Sequence, residues 1–296
     1  MKTINMKKAV FIGLVALLMC PVEAFCQHRY KVSACDWMML KRQRPGAITL
    51  AKEIGADGVE LDMGPLGKRV LFENKLRDNE EEEEKFKKTL KETGIEVSSI
   101  AMSGFFAQNL LKRDNYKDLI KDCLNTMDMF DVKVAFLPLG GSGHEWEKAG
   151  TPERKELVKR LHVIGEMAKD EDCVIAIRTA LDAKESAKLL KEVKSKGIKL
   201  YYNLQDAVDN HRDPVAEIKY LGRKRIAQVH ASLTDSVTLD RDPRINMHEV
   251  KRALDDIKYR GWLVVERSRD AKKVRDVRGN FGTNVRYLKE VFQKED

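Results

Sequence analysis

Eight short apolar runs in this 296-residue chain end in residues that can do chemistry. YKVSACDW (30–37) closes on Asp36 and Trp37, and DGVELDM (57–63) holds Glu60 and Asp62. IEVSSIAMS (95–103) ends at Ser103, and VKVAFLPL (132–139) runs into Gly140-Gly141-Ser142-Gly143-His144. CVIAIRTA (173–180) carries Arg178, and IKLYYNLQ (198–205) carries Asn203 with Asp206 just beyond. RIAQVHAS (225–232) carries His230 ahead of Asp235, and GWLVVERS (261–268) carries Glu266 ahead of Arg269. Carboxylates and an imidazole move protons near neutral pH. Guanidiniums stay charged and orient carboxylates or oxyanions. Arg178 is the odd member, because the four apolar residues Val174 to Ile177 lead straight into it.

These residues act together only if the chain brings the run ends to one place. Between the runs lie segments of helical period: 45–55, 78–94, 115–130, 151–170, 183–197, 213–222, 247–259 and 284–292. Thr151 followed by Pro152 reads as a helix start, a cap with proline at the first helical position. Near-continuous apolar strands alternating with amphipathic helices imply a parallel sheet covered by helices. Eight strand–helix units of about 33 residues suit a single α/β (β/α)8 TIM barrel, a fold of about 250 residues. An open doubly wound sheet is the alternative, but no Gly-x-Gly-x-x-Gly turn follows the first strand. No linker or composition break splits 30–296, which reads as one domain. In such a barrel function sits at the C-terminal strand ends, so the polar residues form one ring.

Other features read as structure. The acidic run Glu80–Glu84 opens a helix, where carboxylates suit the positive dipole end. His162 and His248 fall within helical patterns, and His28 and His211 in flanking segments. His144 sits on a loop placed to close over the ring; its glycines alone are weak evidence for a phosphate site.

Residues 1–26 combine a basic start (Lys2, Lys7, Lys8), an apolar core from Val10 to Met19 and a small-residue site at Ala24-Phe25-Cys26. This reads as a secretory signal peptide, too short in its apolar core for a membrane span of about 20 residues. The expected location is periplasmic or extracellular, without stable membrane insertion; lipidation at Cys20 fits poorly after Met19. Removing three lysines and one glutamate with the leader takes the net charge from +8 to +6. Basic residues are interleaved with acids, as in KRALDDIKYR, so no nucleic-acid partner is expected. Three cysteines remain, Cys35, Cys123 and Cys173, spaced neither as a metal knuckle nor as a disulfide framework.

Several segments resemble the sugar phosphate isomerase/epimerase family of xylose-isomerase-like barrels. IGADGVEL (54–61) looks like its second-strand segment, KLYYNLQDA (199–207) its sixth strand and RIAQVHAS its seventh. RALDDIKYRGWLVVE (252–266) looks like its last helix and strand, with the Tyr-x-Gly-Trp turn and a terminal glutamate. The resemblance runs from about residue 30 to the C-terminus. It implies one divalent ion, Mn, Mg or Zn, held by a glutamate on strand 5, an aspartate on strand 6, a histidine on strand 7 and a glutamate on strand 8. The ion polarises a keto sugar while the two glutamates shuttle a proton. His230 and Glu266 match the last two ligands. Arg178 stands at the glutamate position and Asn203 at the aspartate position, with Asp206 three residues on.

Arginine has donors only and stays protonated, so it neither ligates a cation nor acts as a base. Beside a divalent ion it is repelled by several kcal/mol. The expected site therefore has no metal or a weakly held one. Arg178 either supplies the missing positive charge, paired with Glu266, Asp206 or Asp235, or turns outward as a snorkelling strand-end arginine. If catalysis persists, the expected machinery is Glu266 as base, Arg178 as electrophile and His230 as acid or hydrogen-bond partner. Trp37, Glu60, His144, Asn203, Asp206, Asp235 and Arg269 would bind the ligand. The expected partner is a small-molecule carbohydrate, with oligomerisation left open. Three readings follow: an isomerase, epimerase or keto-glycoside lyase or hydratase; a non-catalytic sugar or sugar-acid binding barrel; and an endonuclease IV-like nuclease. The last is disfavoured, because six histidines, mostly off the ring, and Arg178 do not suit a multi-metal cluster.

Overall fold

The structure, a computed structural model, describes residues 29–294. Its elements run β1 (Tyr30–Cys35), α1 (Pro45–Glu53), β2 (Gly58–Asp62), α2 (Glu80–Thr93), β3 (Glu96–Ala101), α3 (Tyr116–Met129), β4 (Val134–Pro138) and α4 (Pro152–Asp170). They continue with β5 (Val174–Arg178), α5 (Ala183–Val193), β6 (Ile198–Asn203), α6 (Leu204–Asp209), α7 (Pro214–Leu221), β7 (Ile226–His230), α8 (Met247–Asp256), β8 (Gly261–Val265) and α9 (Val277–Phe292). The strands pair in chain order, all parallel, and β8 returns to β1 to close the barrel. The leader-like segment 1–26 lies outside the described residues.

The expected alternation of eight strands and helices holds, with two differences. A short extra helix, α6, follows β6 at once, because the Asn203 side chain accepts the Gln205 N–H at 2.8 Å and caps it. The last helix begins at Val277 rather than 284, capped by Asp276 at Gly279 N. Gly279 and Gly282 weaken the local helix signal, but buried Phe281 and Asn280 fix the first turns against the barrel. Elsewhere the caps act as read: Thr151 accepts from Arg154 N with Pro152 at the first helical position. In α2 only Phe86 is buried, so the acidic run is a solvated face.

Two apolar regions result. Side chains on the outer strand faces pack with the helices in one continuous shell. A separate small cluster fills the barrel: Cys35, Trp37, Ala101, Phe136, Ala176, Tyr201 and Val264. The inward positions alternate along each strand, so the polar residues just above or between these apolar ones also point inward. Cys35, Cys123 and Cys173 are free thiols, the first two buried.

Candidate functional site

The ring divides into three structures. The first is the barrel floor. Glu60, buried on β2, accepts hydrogen bonds from Tyr201 Oη and Ser99 Oγ, both at 2.7 Å, on Oε2. Its Oε1 meets His230 Nε2 at 3.0 Å. Gln228 Nε2 in turn donates to Ser99 Oγ at 3.1 Å. Burial, and next the Glu60 charge, push the Tyr201 hydroxyl well above its ordinary pKa. Tyr201 therefore stays a donor, and with Ser99 and His230 it occupies both oxygens of the Glu60 carboxylate.

The second structure lies one layer higher. Register pairs Asn203 with His230 and His230 with Val264, which brings Glu266 into the same layer. His230 Nδ1 is 3.5 Å from Asn203 Nδ2 and 3.8 Å from Glu266 Oε2. Arg178 turns into the mouth rather than out of it. It donates through Nε and Nη2 to the two oxygens of Asp206 at 2.8 and 2.9 Å, and through Nη1 to Glu266 Oε2 at 3.2 Å. Burial pushes the Glu266 carboxyl up, but the charges of His230, Arg178 and Arg267 and a hydrogen bond from Asn203 bring it below the ordinary carboxylate value. Burial disfavours the Arg178 cation, yet Glu266 and Asp206 more than offset this and its pKa rises.

Aromatic rings roof this layer. Phe136 lies edge-on to His230 and Tyr201, at 4.7 and 4.8 Å between ring centroids. Trp37 stacks parallel to Phe136 at 6.3 Å, and Phe106 lies 5.7 Å from it. The Arg178 guanidinium carbon sits 5.4 Å from the Phe106 centroid, a cation–π contact. Phe106 is 39% exposed and Trp37 8%, while Glu266 and His230 are buried. Solvent thus meets Phe106, Arg178, Asp206 and an edge of Trp37 before it meets the acid–base groups.

The third structure serves the loops. Asp36 accepts the Gln43 and Asp62 backbone N–H groups at 2.8 and 3.2 Å. Asp62 accepts those of Gly64 and Ser103, both at 3.0 Å, and pairs with Arg42 at 2.8 Å. Asp235 and Arg269 pair with each other at the rim, Nη2 to Oδ2 at 2.5 Å, so Asp235 is not a partner of Arg178. His144 is exposed and faces Glu147, with Nδ1 3.2 Å from its carboxylate. The glycines before His144 allow close packing: a Cβ on Gly140 would lie 2.5 Å from Phe106 O, and Gly141, at φ +79°, donates to that oxygen.

A family model described as xylose isomerase-like TIM barrel matches residues 48–291. The chain belongs to the xylose isomerase-like TIM barrel family. The barrel superposes on solved relatives at low identity, which bears on fold. A D-psicose 3-epimerase studied with D-fructose is 15% identical at a TM-score of 0.70, over 89% of this chain and 100% of that one. A sugar phosphate isomerase/epimerase from Parabacteroides distasonis is 14% identical at 0.66, over 89% and 96%. A probable 3-DHS dehydratase from Bacillus anthracis is 17% identical at 0.65, over 87% and 98%. No curated protein matches the chain.

Against the ligand set implied for xylose isomerase-like barrels, the residues here do not fit a metal ion. The Arg178 guanidinium contacts the Glu266 carboxylate, and Asn203 offers an amide where a carboxylate is needed. Among the described residues no three His, Cys, Asp or Glu side chains converge so as to hold one. Strand ends alone do not reveal Ser99, Tyr201, Gln228, Phe136 and Phe106. The first four sit within strands rather than at their ends; Tyr201 and Gln228 each precede a ring residue by two. The period-2 alternation of strands was the available signal.

Proposed function

We propose that this protein is a carbohydrate-binding barrel derived from an isomerase or epimerase scaffold, one that takes up a sugar without a metal ion and without moving a proton. The observation that carries this is Arg178, bound to both Asp206 and Glu266 at the strand 5 position. It fills the charge role of an ion but offers no open coordination position and no basic lone pair. The best base candidate, Glu266, is held down by cations and hydrogen bonds, which makes it a weaker base. What solvent reaches suits a neutral sugar: the Phe106 ring and the Trp37 edge for its C–H face, Asp206 and Arg178 for its hydroxyls. The carboxylates there outnumber the free donors, which argues against a sugar acid.

A second reading rests on a separate observation, the buried His230–Glu60 contact beside Glu266. A histidine oriented by a carboxylate is a competent proton carrier, and a metal-free proton transfer next to a carbonyl would use it with Glu266. One experiment separates the two. A panel of neutral aldoses, ketoses and keto-glycosides is screened by thermal shift, and each binder is incubated in heavy water. The expected result is binding that chelator leaves unchanged, no exchange at the α-carbon, and no stoichiometric metal by elemental analysis. Exchange that disappears in Glu266→Gln overturns the first reading for the second. One bound Zn, Mn or Mg per chain overturns both.

A further inference from the structure

The face that carries the mouth is electrically lopsided. The loops after β8, β1 and β2 belong to neighbouring strands. Together, residues 266–276, 36–44 and 63–79 hold twelve lysines and arginines against six acids: Asp36, Glu73, Asp78, Glu266, Asp270 and Asp276. The loops on the far side, 139–151, 179–182 and 204–213, reverse the balance, with six acids and two bases. Each basic loop also exposes an aliphatic side chain next to its cations: Leu40 (66% exposed) before Lys41-Arg42, Val70 (73%) after Lys68-Arg69, and Val274 (38%) between Lys273 and Arg275. Arg69 pairs with Glu73. Among the described residues, Lys68, Lys272, Lys273 and Arg275 are exposed and form no direct ion pair, although the charge of Lys273 reaches Asp270.

Aliphatic tips beside cations on three adjacent loops, with unpaired cations on two of them, match the chemistry of a lipid surface: acyl chains accept the tips while anionic headgroups neutralise the cations. A soluble polyanion would use the charges but leave three exposed aliphatic side chains without a role. We infer that this sector is a peripheral docking surface for an anionic bilayer. Among the described residues no helix is long and apolar enough to cross a membrane, so the contact is superficial. Docked this way, the barrel lies with its β8–β1–β2 rim on the lipid and its acidic β4–β6 rim toward solution, leaving the mouth open on that side.

The test is cosedimentation with vesicles of phosphatidylcholine alone and of an equimolar phosphatidylcholine–phosphatidylglycerol mixture. It is run on the full chain and on a chain beginning at Arg29. The shorter chain holds all eight strands and the β1–β8 closure and removes the apolar Val10–Met19 stretch as a competing anchor. The expected result is binding to the mixed vesicles only, weakened by salt. K272E/K273E/R275E should lower partitioning about a hundredfold, as three lost headgroup attractions imply. L40S/V70S/V274S should lower it about tenfold with the salt dependence unchanged. Circular dichroism confirms the fold of both variants. No binding of the Arg29 chain to mixed vesicles overturns the inference. So does binding unaffected by the aliphatic variant together with charge-dependent capture of dextran sulfate, which would make the sector a polyanion site.

Discussion

Two pairs of buried carboxylates sit at the ends of β8, β1 and β2, and their surroundings differ in kind. Asp36 and Asp62 are held mainly by backbone N–H groups of the loops that follow β1, β2 and β3. Glu60 and Glu266 are held by side chains: Tyr201, Ser99, His230 and Arg178. Burial, then the charge of its neighbour, pushes Asp36 well up, and burial takes Asp62 to about 6 despite Arg42. Glu266 moves the other way because cations face it. Backbone donors shape a loop but carry no net charge, so they compensate a buried carboxylate incompletely. Several side-chain cations together more than offset the burial of Glu266 and place a polar layer where a ligand can meet it, whereas Arg42 alone does not offset that of Asp62. The two pairs are neighbours on the barrel, yet one is a loop staple and the other the core of the candidate site.

The largest test of that contrast is the removal of Arg178. Arg178→Ala removes the one cation that Asp206 and Glu266 share, in a site where Arg178 is only 13% exposed. Breaking a buried pair from one side costs about 3–5 kcal/mol. Chemical denaturation should show a loss of that size. Adding Glu266→Gln to the same chain should recover part of it, because one uncompensated charge then disappears. If Arg178→Ala is neutral, the guanidinium is not the compensating charge and the contrast between the pairs fails.

A smaller effect is expected at the floor. Tyr201→Phe removes one donor from Glu60 while keeping the ring against Phe136 and His230. A hydrogen bond to a buried charge is worth about 2 kcal/mol, and equilibrium unfolding should report a loss near that value. A change below about 0.5 kcal/mol, the scale of ordinary surface substitutions, would mean that Ser99 and His230 alone satisfy Glu60.

Much of this was readable from residue order. Apolar runs alternating with helical periods specify the barrel, and the barrel in turn assigns Arg178, His230 and Glu266 to one mouth. The rest depended on geometry that pattern alone does not carry. A register shift between Val59 and Glu60 sets how β2 meets β3, and Glu60 becomes part of the floor beneath the mouth. Whether Arg178 turned inward or outward was open until its fork met Asp206. Asp235 and Arg269 find each other across 34 residues because two loops converge, which no local spacing announces. Asp36 and Asp62 look like ring members in sequence, since a strand-end aspartate reads alike whether its partners are backbone amides or a ligand.

The smallest expected effect separates the pairs by pH. A carboxyl raised in the fold, like Asp62, binds its proton more tightly folded than unfolded, so its contribution is present at low pH and lost as pH rises from about 4 to about 6. Glu266, lowered in the fold, contributes above its ordinary value of 4.5 and loses that contribution as pH falls below it. The windows barely overlap, so a stability profile from pH 3 to pH 7, taken at roughly half-unit steps, resolves them. In Asp62→Asn the decline above pH 4 should become shallower, because the raised Asp62 carboxyl is gone and Asp36 keeps only the rise that burial gives it, while the rise below 4.5 stays. In Glu266→Gln the low-pH rise should flatten and the decline above pH 4 should stay. If either substitution flattens both limbs, Asp36, Asp62 and Glu266 titrate as one coupled cluster, and the division into a loop staple and a candidate site does not hold.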